Sequence, residues 1–411
     1  MHGSRAHRLI NGQSGQRPDG EPSAFPSSGA ASARAIAALF LRAEGESALL
    51  ERSWPANAQA EIARWPEAAR RGARTLPTFC YRRPPVLTEL RAALDWVAAG
   101  AGGALLEHFL LDRAAERRLP PPRALSELYA ARAAELSLEA ALAEEIGGRR
   151  FGELARQRHP VRAEPEWVAA ERVAREWASA AEAPTTAPLF ASDDARAPAS
   201  LLNVLRELVG RLQLPVRVSV TRVLASRAAS GGSVIYVRAG EQLSAAQALR
   251  IARHEVYAHA WPRARALAEP LGLARVGCAG AGADEEGRAV LLEQRFGDLD
   301  AERRRELGLR HLTALAVARG ADAHECAREL AAHGCEPERA IALYARCARG
   351  ALAGDRFGGL CRELEYLPAW LRVSAAFSAD PALEAWLAHG RWSLAAARRL
   401  GAHPSTSGAH M

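Results

Sequence analysis

The spacing of apolar residues predicts that the first half of the chain is helical. From residue 33 to residue 182, apolar side chains recur three and four positions apart, which is the period of one buried helical face. The clearest segments cover residues 90–97, 105–111 and 124–145. The high alanine and arginine content favours helix as well. We therefore expect a helical N-terminal domain over residues 33–182.

The pattern changes near the middle of the chain. Residues 216–223 alternate with a period of two, and residues 234–238 (VIYVR) follow a Gly-Gly turn, so we predict two strands here. Ser244 then offers an N-cap for a helix that runs through His254 and is stopped by Pro262. Further helical periodicity follows, over residues 284–296, 303–319, 324–333 and 337–348.

These elements predict an α+β fold that is mostly helical, with a small sheet. Pro, Ser and Thr are frequent in residues 183–200, which favours a linker. Residues 1–32 are rich in Gly, Ser, Pro and Arg, which is typical of disorder. We predict five segments: a disordered N-terminus (1–32), the helical domain (33–182), a linker (183–200), a second domain with the sheet (201–400) and a flexible tail (401–411).

Composition excludes several classes of function. Hydrophobic residues make up 49% and charged residues 25%, as in an ordinary globular protein. The net charge of +7 is spread along the chain without a basic stripe, so we expect no nucleic-acid partner. No stretch approaches the roughly 20 apolar residues of a membrane span. The six cysteines form no CxxC pair, which favours a reducing compartment, and we expect a cytoplasmic protein.

One short motif carries most of the chemical information. The sequence HEVYAH contains His254, Glu255 and His259, and two imidazoles with a carboxylate are typical of a zinc hydrolase. Zincin domains present such a helix after a strand and an N-cap, usually with the histidines four residues apart. At about 100° per residue, histidines five apart diverge on a regular α-helix, but one π-turn brings them onto one side. The motif is therefore either a widened metal-binding helix or a coincidence in an ordinary helix.

A catalytic zinc site needs a third protein ligand and one open position. The segment DEEGRA starts 25 residues after His259 and offers Asp284, Glu285 and Glu286 at the start of a predicted helix. On spacing alone the three carboxylates are equal candidates. The alternative is that they only stabilise the positive end of the helix dipole, by about 0.3–1 kcal/mol.

These two motifs resemble the HExxxH metallopeptidases typified by the microtubule-associated tyrosine carboxypeptidases, whose bacterial relatives are called QEGLA-motif proteins. HEVYAH matches the HExxxH motif, EPL at residues 269–271 matches its Gln-Pro-Leu, and EEGRA matches QEGLA. The resemblance covers residues 200–375 and implies a zincin-like catalytic domain over residues 201–400. It selects Glu286 as the third metal ligand, because Glu286 takes the position of the Glu in QEGLA.

Two downstream motifs extend the resemblance, with substitutions. RCARG, at residues 346–350, is similar to the family's Arg-x-x-Arg-Gly, and LCRELEYL, at residues 360–367, is similar to its Phe-Thr-Lys-Asp-x-x-Tyr-Leu. Arg362 takes the place of the family's Lys. Small residues at 277–282 replace the Gly-Leu-Pro-Gly-Tyr loop that precedes QEGLA. Metal binding should survive these changes, whereas they leave the substrate preference open.

The resemblance implies a carboxypeptidase that acts on the C-terminus of a peptide or protein, and a ribosomally made, modified peptide is one candidate substrate. One zinc ion, on His254, His259 and Glu286, would activate water. Glu255 would act as the general base.

Three further residues are candidates for substrate binding and catalysis. A planar guanidinium can bind a carboxylate through two hydrogen bonds, so Arg349 and Arg362 are the candidates for holding the substrate's terminal carboxylate. Tyr366 is the candidate donor to the developing oxyanion.

Alternatives stand beside this interpretation. The chain could keep the fold as a non-catalytic regulatory or binding protein, or it could hydrolyse another kind of amide bond. A rival metal cluster consists of residues that lie within twelve positions, namely His324, Cys326, His333 and Cys335. His-x-Cys is not a common zinc spacing, and helix positions two apart point about 200° apart, so we do not expect zinc there.

Overall fold

The structure is a computed structural model, and it describes residues 36, 38–45, 55–71, 76–82, 84–99, 122–180, 186–269, 272–352 and 358–401. Three predicted features lie outside the described residues: the disordered segment 1–32, the helix over 105–111 and all but the first residue of the tail over 401–411. They stay predictions.

The described part of the first half is helical, as predicted. Its helices are α1 (Ala58–Arg70), α2 (Thr88–Ala98), α3 (Pro122–Glu144), α4 (Phe151–Arg158) and α5 (Pro165–Ala178). In α2 the buried residues are Leu90, Ala93, Leu94 and Val97, spaced three and four apart on one face. That face packs against α3.

The described residues include five short strands in two small sheets: β1 (Leu189–Ala191), β2 (Arg217–Thr221), β3 (Ala228–Gly231), β4 (Val234–Arg238) and β5 (Gln242–Ser244). In the three-stranded sheet β4 lies at the centre, parallel to β2 and antiparallel to β3. β1 pairs with β5. Strands β2 and β4 confirm the two predicted strands. The small residues of β3 (AASG) give no β-branched pattern, and β1 lies inside the predicted linker, so the sequence indicated neither.

The remaining helices confirm the predicted fold class, which is α+β and mostly helical. They are α6 (Leu201–Arg211), α7 (Ala245–Arg253), a π-helix (His254–Ala260), α8 (Trp261–Ala266), α9 (Leu273–Val276), α10 (Ala281–Arg295), α11 (Ala301–Ala318), α12 (Ala323–Ala331), α13 (Pro337–Cys347), a 3-10 turn (Arg362–Glu365), α14 (Tyr366–Ala379), α15 (Ala382–Ala388) and α16 (Leu394–Leu400). Among the described helices, none combines the length and apolar composition that a membrane span needs.

Two hydrophobic cores fix the elements that matter for function. In one, Leu94 of α2 and Leu136 of α3 pack with Trp386 and Trp392. The helices before the sheet (α1–α5) therefore share a core, through α2 and α3, with the segment from α15 to α16. In the other, Ile235 of β4 and residues of α7 and the π-helix pack together. The second core seats the π-helix against the sheet. The division of the chain into separate domains stays a prediction.

Helix α10 approaches α14 so closely that only glycine fits at the contact. A Cβ on Gly287 would lie 2.5 Å from the carbonyl carbon and oxygen of Ala369, far inside van der Waals contact. Gly287 follows Glu286 directly. Gly287 therefore allows α10 to lie close to α14, and this close packing positions the neighbouring Glu286.

Candidate metal centre

The π-helix brings the two histidines of HEVYAH together. A capping box of Ser244 and Gln247 starts α7, which runs into the π-helix at His254. The wider i→i+5 turn places residues five apart on one side. As a result the Nε2 atoms of His254 and His259 lie 3.4 Å apart. The predicted π-type widening is confirmed.

Glu286 completes a triangle of possible metal ligands. Its Oε2 lies 3.4 Å from His254 Nε2 and 3.8 Å from His259 Nε2. Ligands about 2.0–2.1 Å from a tetrahedral zinc are about 3.4 Å apart, which these spacings approach. Glu286 Oε2 is buried and no described residue gives it a geometrically acceptable hydrogen bond. A buried carboxylate oxygen without a partner, facing two imidazole nitrogens, fits a cation at this point.

The other two acidic residues of DEEGRA point elsewhere. Asp284 Oδ1 accepts from Arg372 at 2.6 Å, and its Oδ2 accepts from the N–H of Leu394 at 2.8 Å, at the start of α16. Glu285 lies behind the second histidine rather than between the two. Among the described residues, the one group of three or more potential metal ligands is His254, His259 and Glu286.

Each histidine is held from behind by a carboxylate that an arginine binds in turn. His254 Nδ1 lies 2.7 Å from Glu293 Oε1, and Arg303 binds both oxygens of Glu293, at 2.7 and 2.9 Å. Such a partner fixes the ring orientation and leaves the other ring nitrogen for a metal. Sequence analysis missed Glu293. It lies seven residues after Glu286, two turns along the same face of α10, which is the signal that could have found it.

The arrangement around His259 is similar. Its Nδ1 lies 3.4 Å from Glu285 Oε2, and Glu285 Oε1 accepts from Arg391 at 2.8 Å. Arg263 approaches the same carboxylate at 3.4 Å. Both imidazoles therefore turn their Nε2 atoms towards Glu286.

The charges of this cluster depend on one another. Burial alone would lower the pKa of His254, but the neighbouring carboxylates of Glu286 and Glu293 outweigh burial and raise the pKa to about 10. Burial would raise the pKa of Glu286, yet His259, His254 and Arg362 hold it well below its usual range. Glu286 therefore stays ionised beside the point where a cation would bind.

Glu255 lies next to the triangle but is held by a different element. It is 7% exposed, and Ser230 Oγ of β3 donates to its Oε2 at 2.8 Å. Glu255 therefore contacts β3 through Ser230 and lines the same cavity as the two histidines and Glu286. Sequence analysis did not single out Ser230.

Two cavities meet at this point. The metal cavity has a volume of about 120 Å³ and is lined by His254, Glu255, His259, Glu286 and Tyr366, among others. The second cavity has a volume of about 360 Å³ and extends towards the helices before the sheet. Three residues belong to the lining of both cavities: Ser230, Arg263 and Arg362.

Arg362 and Tyr366 lie where a substrate could reach them. Arg362 lies in the 3-10 turn, its side chain is 27% exposed, and Nη2 donates to Glu286 Oε1 at 2.8 Å. Tyr366 is the first residue of α14 and is half-buried on the wall of the metal cavity. Both side chains therefore line the cavity that holds the three candidate ligands.

Arg349 is placed differently from the sequence-based expectation. Its side chain is fully buried and lines neither cavity. Nη1 donates to Glu363 Oε1 at 2.9 Å and to the carbonyl oxygen of Arg346 at 2.6 Å. Arg349 is therefore a core residue that pairs with Glu363, and this burial argues against its predicted contact with a substrate carboxylate.

The rival cluster does not assemble a metal site. His324 packs its ring on Trp65 at 4.9 Å between centroids, and His333 Nδ1 lies 3.0 Å from Ser179 Oγ. Cys326 and Cys335 are buried and are not joined in disulfides. Among the described residues, these four are not grouped as potential ligands of one metal ion.

Comparison with known proteins gives one match. A family model described as microtubule-associated tyrosine carboxypeptidase matches residues 72–404. No curated protein and no solved structure matches the chain.

Proposed function

The chain belongs to the microtubule-associated tyrosine carboxypeptidase family, which implies carboxypeptidase activity, and from this premise we propose how its own residues carry the reaction out. We propose that one zinc ion binds to His254, His259 and Glu286 and that the enzyme hydrolyses the C-terminal peptide bond of a peptide or protein. The convergence of the three ligand atoms, in a cavity that a second acidic residue, Glu255, also lines, carries this proposal.

His254, His259 and Glu286 would hold the zinc ion, which when bound would supply Lewis acidity for the activation of water and of the scissile carbonyl. Glu255 takes the proton from the attacking water and passes it to the leaving amine. The hydroxyl of Ser230 holds Glu255 in place for both transfers, because it donates to Oε2 and leaves Oε1 for the water. Glu255 thus moves protons and is not a ligand.

Arg362 binds the terminal carboxylate of the substrate. It is the candidate that remains after Arg349 is assigned to the core, and it lines both cavities. Its side chain is 27% exposed while Nη2 donates to Glu286 Oε1, and a planar guanidinium suits the geometry of a carboxylate. The hydroxyl of Tyr366 donates to the oxygen that becomes negative during attack.

Mass spectrometry of matched peptides tests the proposal. A pool of peptides that differ in their last residue is prepared twice, with free and with amidated C-termini, and incubated with the enzyme. We expect loss of the last residue from free C-termini, none after treatment with a chelator, and recovery when zinc is added. Equal cleavage of amidated peptides would identify an endopeptidase, and cleavage that persists in chelator would exclude the metal.

A further inference from the structure

The helices before the sheet reach the active site at the second cavity. Its wall combines Arg158 and His159, from the end of α4, with Arg362 and Glu365 of the 3-10 turn. Arg362 also lines the metal cavity. The metal and substrate motifs of the sequence all lie outside these helices, and the contact between α4 and the turn is one connection between the two.

Glu365 is the point of contact. Its Oε1 lies 2.8 Å from His159 Nδ1 and 3.4 Å from Arg158 Nη1. The side chain of His159 is 5% exposed, so water competes little for this bond. Burial would raise the pKa of Glu365, but His159 and then Arg158 outweigh it and lower the pKa to about 2. Glu365 is therefore a carboxylate at neutral pH, which strengthens the bond it accepts.

Helix α4 is itself anchored to α3. Arg158 Nη2 lies 2.8 Å from Glu139 Oε1 and 3.1 Å from Glu135 Oε1, and these glutamates are one turn apart on α3. Glu135 Oε1 also accepts from the N–H of Gly280, directly before α10, at 3.2 Å. The same pair of helices therefore contacts the start of α10, which carries Glu286, and the 3-10 turn.

We propose that His159 is a positioning residue for the peptidase reaction, because through Glu365 it fixes the turn that carries Arg362. This inference rests on the proposed function, in which Arg362 binds the substrate's terminal carboxylate. Arg362 and Glu365 are three residues apart, which is one turn of a 3-10 helix, so a bond that holds one end of the turn orients the other. The helices before the sheet then belong to the active site.

The consequence is a defect in substrate binding rather than in metal binding. A two-point contact between guanidinium and carboxylate tolerates little displacement. A less ordered turn should therefore weaken the binding of the substrate carboxylate by Arg362. The zinc ligands lie on other elements, the π-helix and α10. Loss of the His159 bond should therefore raise KM and leave the zinc content unchanged.

A double-mutant cycle tests this. The enzyme and the variants His159→Ala, Arg362→Ala and the double variant are assayed with the best peptide of the pool with free C-termini. We expect His159→Ala to raise KM about tenfold with a smaller change in kcat. In the Arg362→Ala background, His159→Ala should raise KM little further, because Arg362, through which His159 acts, is already absent.

Two controls separate positioning from support of the fold. His159→Asn keeps a donor near the place of Nδ1 and should restore most of the loss. Arg156→Ala changes an exposed residue of the same helix and should leave KM unchanged. If His159→Ala fails to fold, Glu365→Gln removes the charge at constant size and should raise KM in the same way.

The outcomes separate this inference from the function on which it rests. If the enzyme removes C-terminal residues but His159→Ala and Glu365→Gln leave KM unchanged, or if the losses in the cycle are additive, the positioning role is wrong and the function stands. Zinc loss in His159→Ala would also overturn it. An enzyme that removes no C-terminal residue overturns both.

Discussion

Two buried glutamates of this protein look alike until their neighbours are compared. Glu286 is 5% exposed and Glu363 is 2% exposed. Burial would raise the pKa of each, but neighbouring cations outweigh it: His259 leads among the groups that lower the pKa of Glu286, and Arg349 among those that lower that of Glu363. In both, one carboxylate oxygen has no hydrogen-bond partner among the described residues.

The two regions differ in donor atoms and in access. Glu286 faces two imidazoles, whose ring nitrogens can bind a metal, and it lines the metal cavity. Glu363 faces the guanidinium groups of Arg346 and Arg349, which have no lone pair to offer. Burial and a perturbed pKa therefore do not separate a reactive site from a structural ion pair. What separates them is the type of donor atom that faces the carboxylate and whether the carboxylate lines a cavity.

The largest expected effect concerns Glu255, a third buried carboxylate, which lines the cavity but is not one of the three proposed ligands. Glu255→Gln keeps the shape and removes the base, so we expect turnover to fall by roughly 10²–10⁴. Zinc content and thermal unfolding should stay as in the unchanged enzyme. Steady-state kinetics with elemental analysis check both; retained turnover, or zinc loss with turnover, would contradict the role of Glu255.

The stability of the metal-free protein should distinguish the two regions next. Glu363→Ala leaves the buried guanidinium of Arg349 and the half-buried one of Arg346 without their carboxylate, and it should lower the free energy of unfolding by about 3–5 kcal/mol. Glu286→Ala should cost less, about 1 kcal/mol, because Arg362 is partly exposed and water can take the place of the lost partner. Denaturant unfolding in chelator measures both. Equal losses would mean that the ion pair and the metal site are built alike.

The dependence of the free energy of unfolding on acidic pH gives a smaller and independent test of the ion pair. The folded protein lowers the pKa of Glu363 from 4.5 to about 2, with Arg349 and Arg346 outweighing burial. A lowered pKa stabilises the fold above pH 4.5, and this contribution, roughly 3 kcal/mol at most, disappears as pH falls through about 2. In chelator, the stability difference between the unchanged protein and Glu363→Gln should shrink across this window. A difference independent of pH would contradict the ion pair.

The sequence predicted the metal-ligand cluster better than the substrate site. The i, i+5 spacing of the histidines requires a π-turn if they are to share one ion, so local geometry was enough for His254 and His259. The resemblance then selected Glu286. Arg349 and Arg362 looked equivalent because both lie in matching motifs, and only tertiary packing buries one and exposes the other.

Other features escaped the sequence for the same reason. Glu293 and Ser230 act through contacts between distant segments, which neither periodicity nor spacing reports. Strand β3 has four small residues and owes its conformation to pairing with β4. Local patterns therefore predicted most of the elements and the two histidines, and the resemblance added Glu286, whereas the residues that hold this cluster in place needed the fold.

Zinc content tests the central claim most directly. Elemental analysis of protein purified without added metal should find one zinc per chain in the unchanged protein and in Glu363→Gln. Glu286→Ala should lose most of it, and Glu285→Ala should keep more, because Glu285 only holds His259 from behind. Full zinc occupancy in Glu286→Ala, with loss in Glu285→Ala, would show that the ligand is the neighbouring residue. A protein that binds no zinc at all would contradict the metal centre.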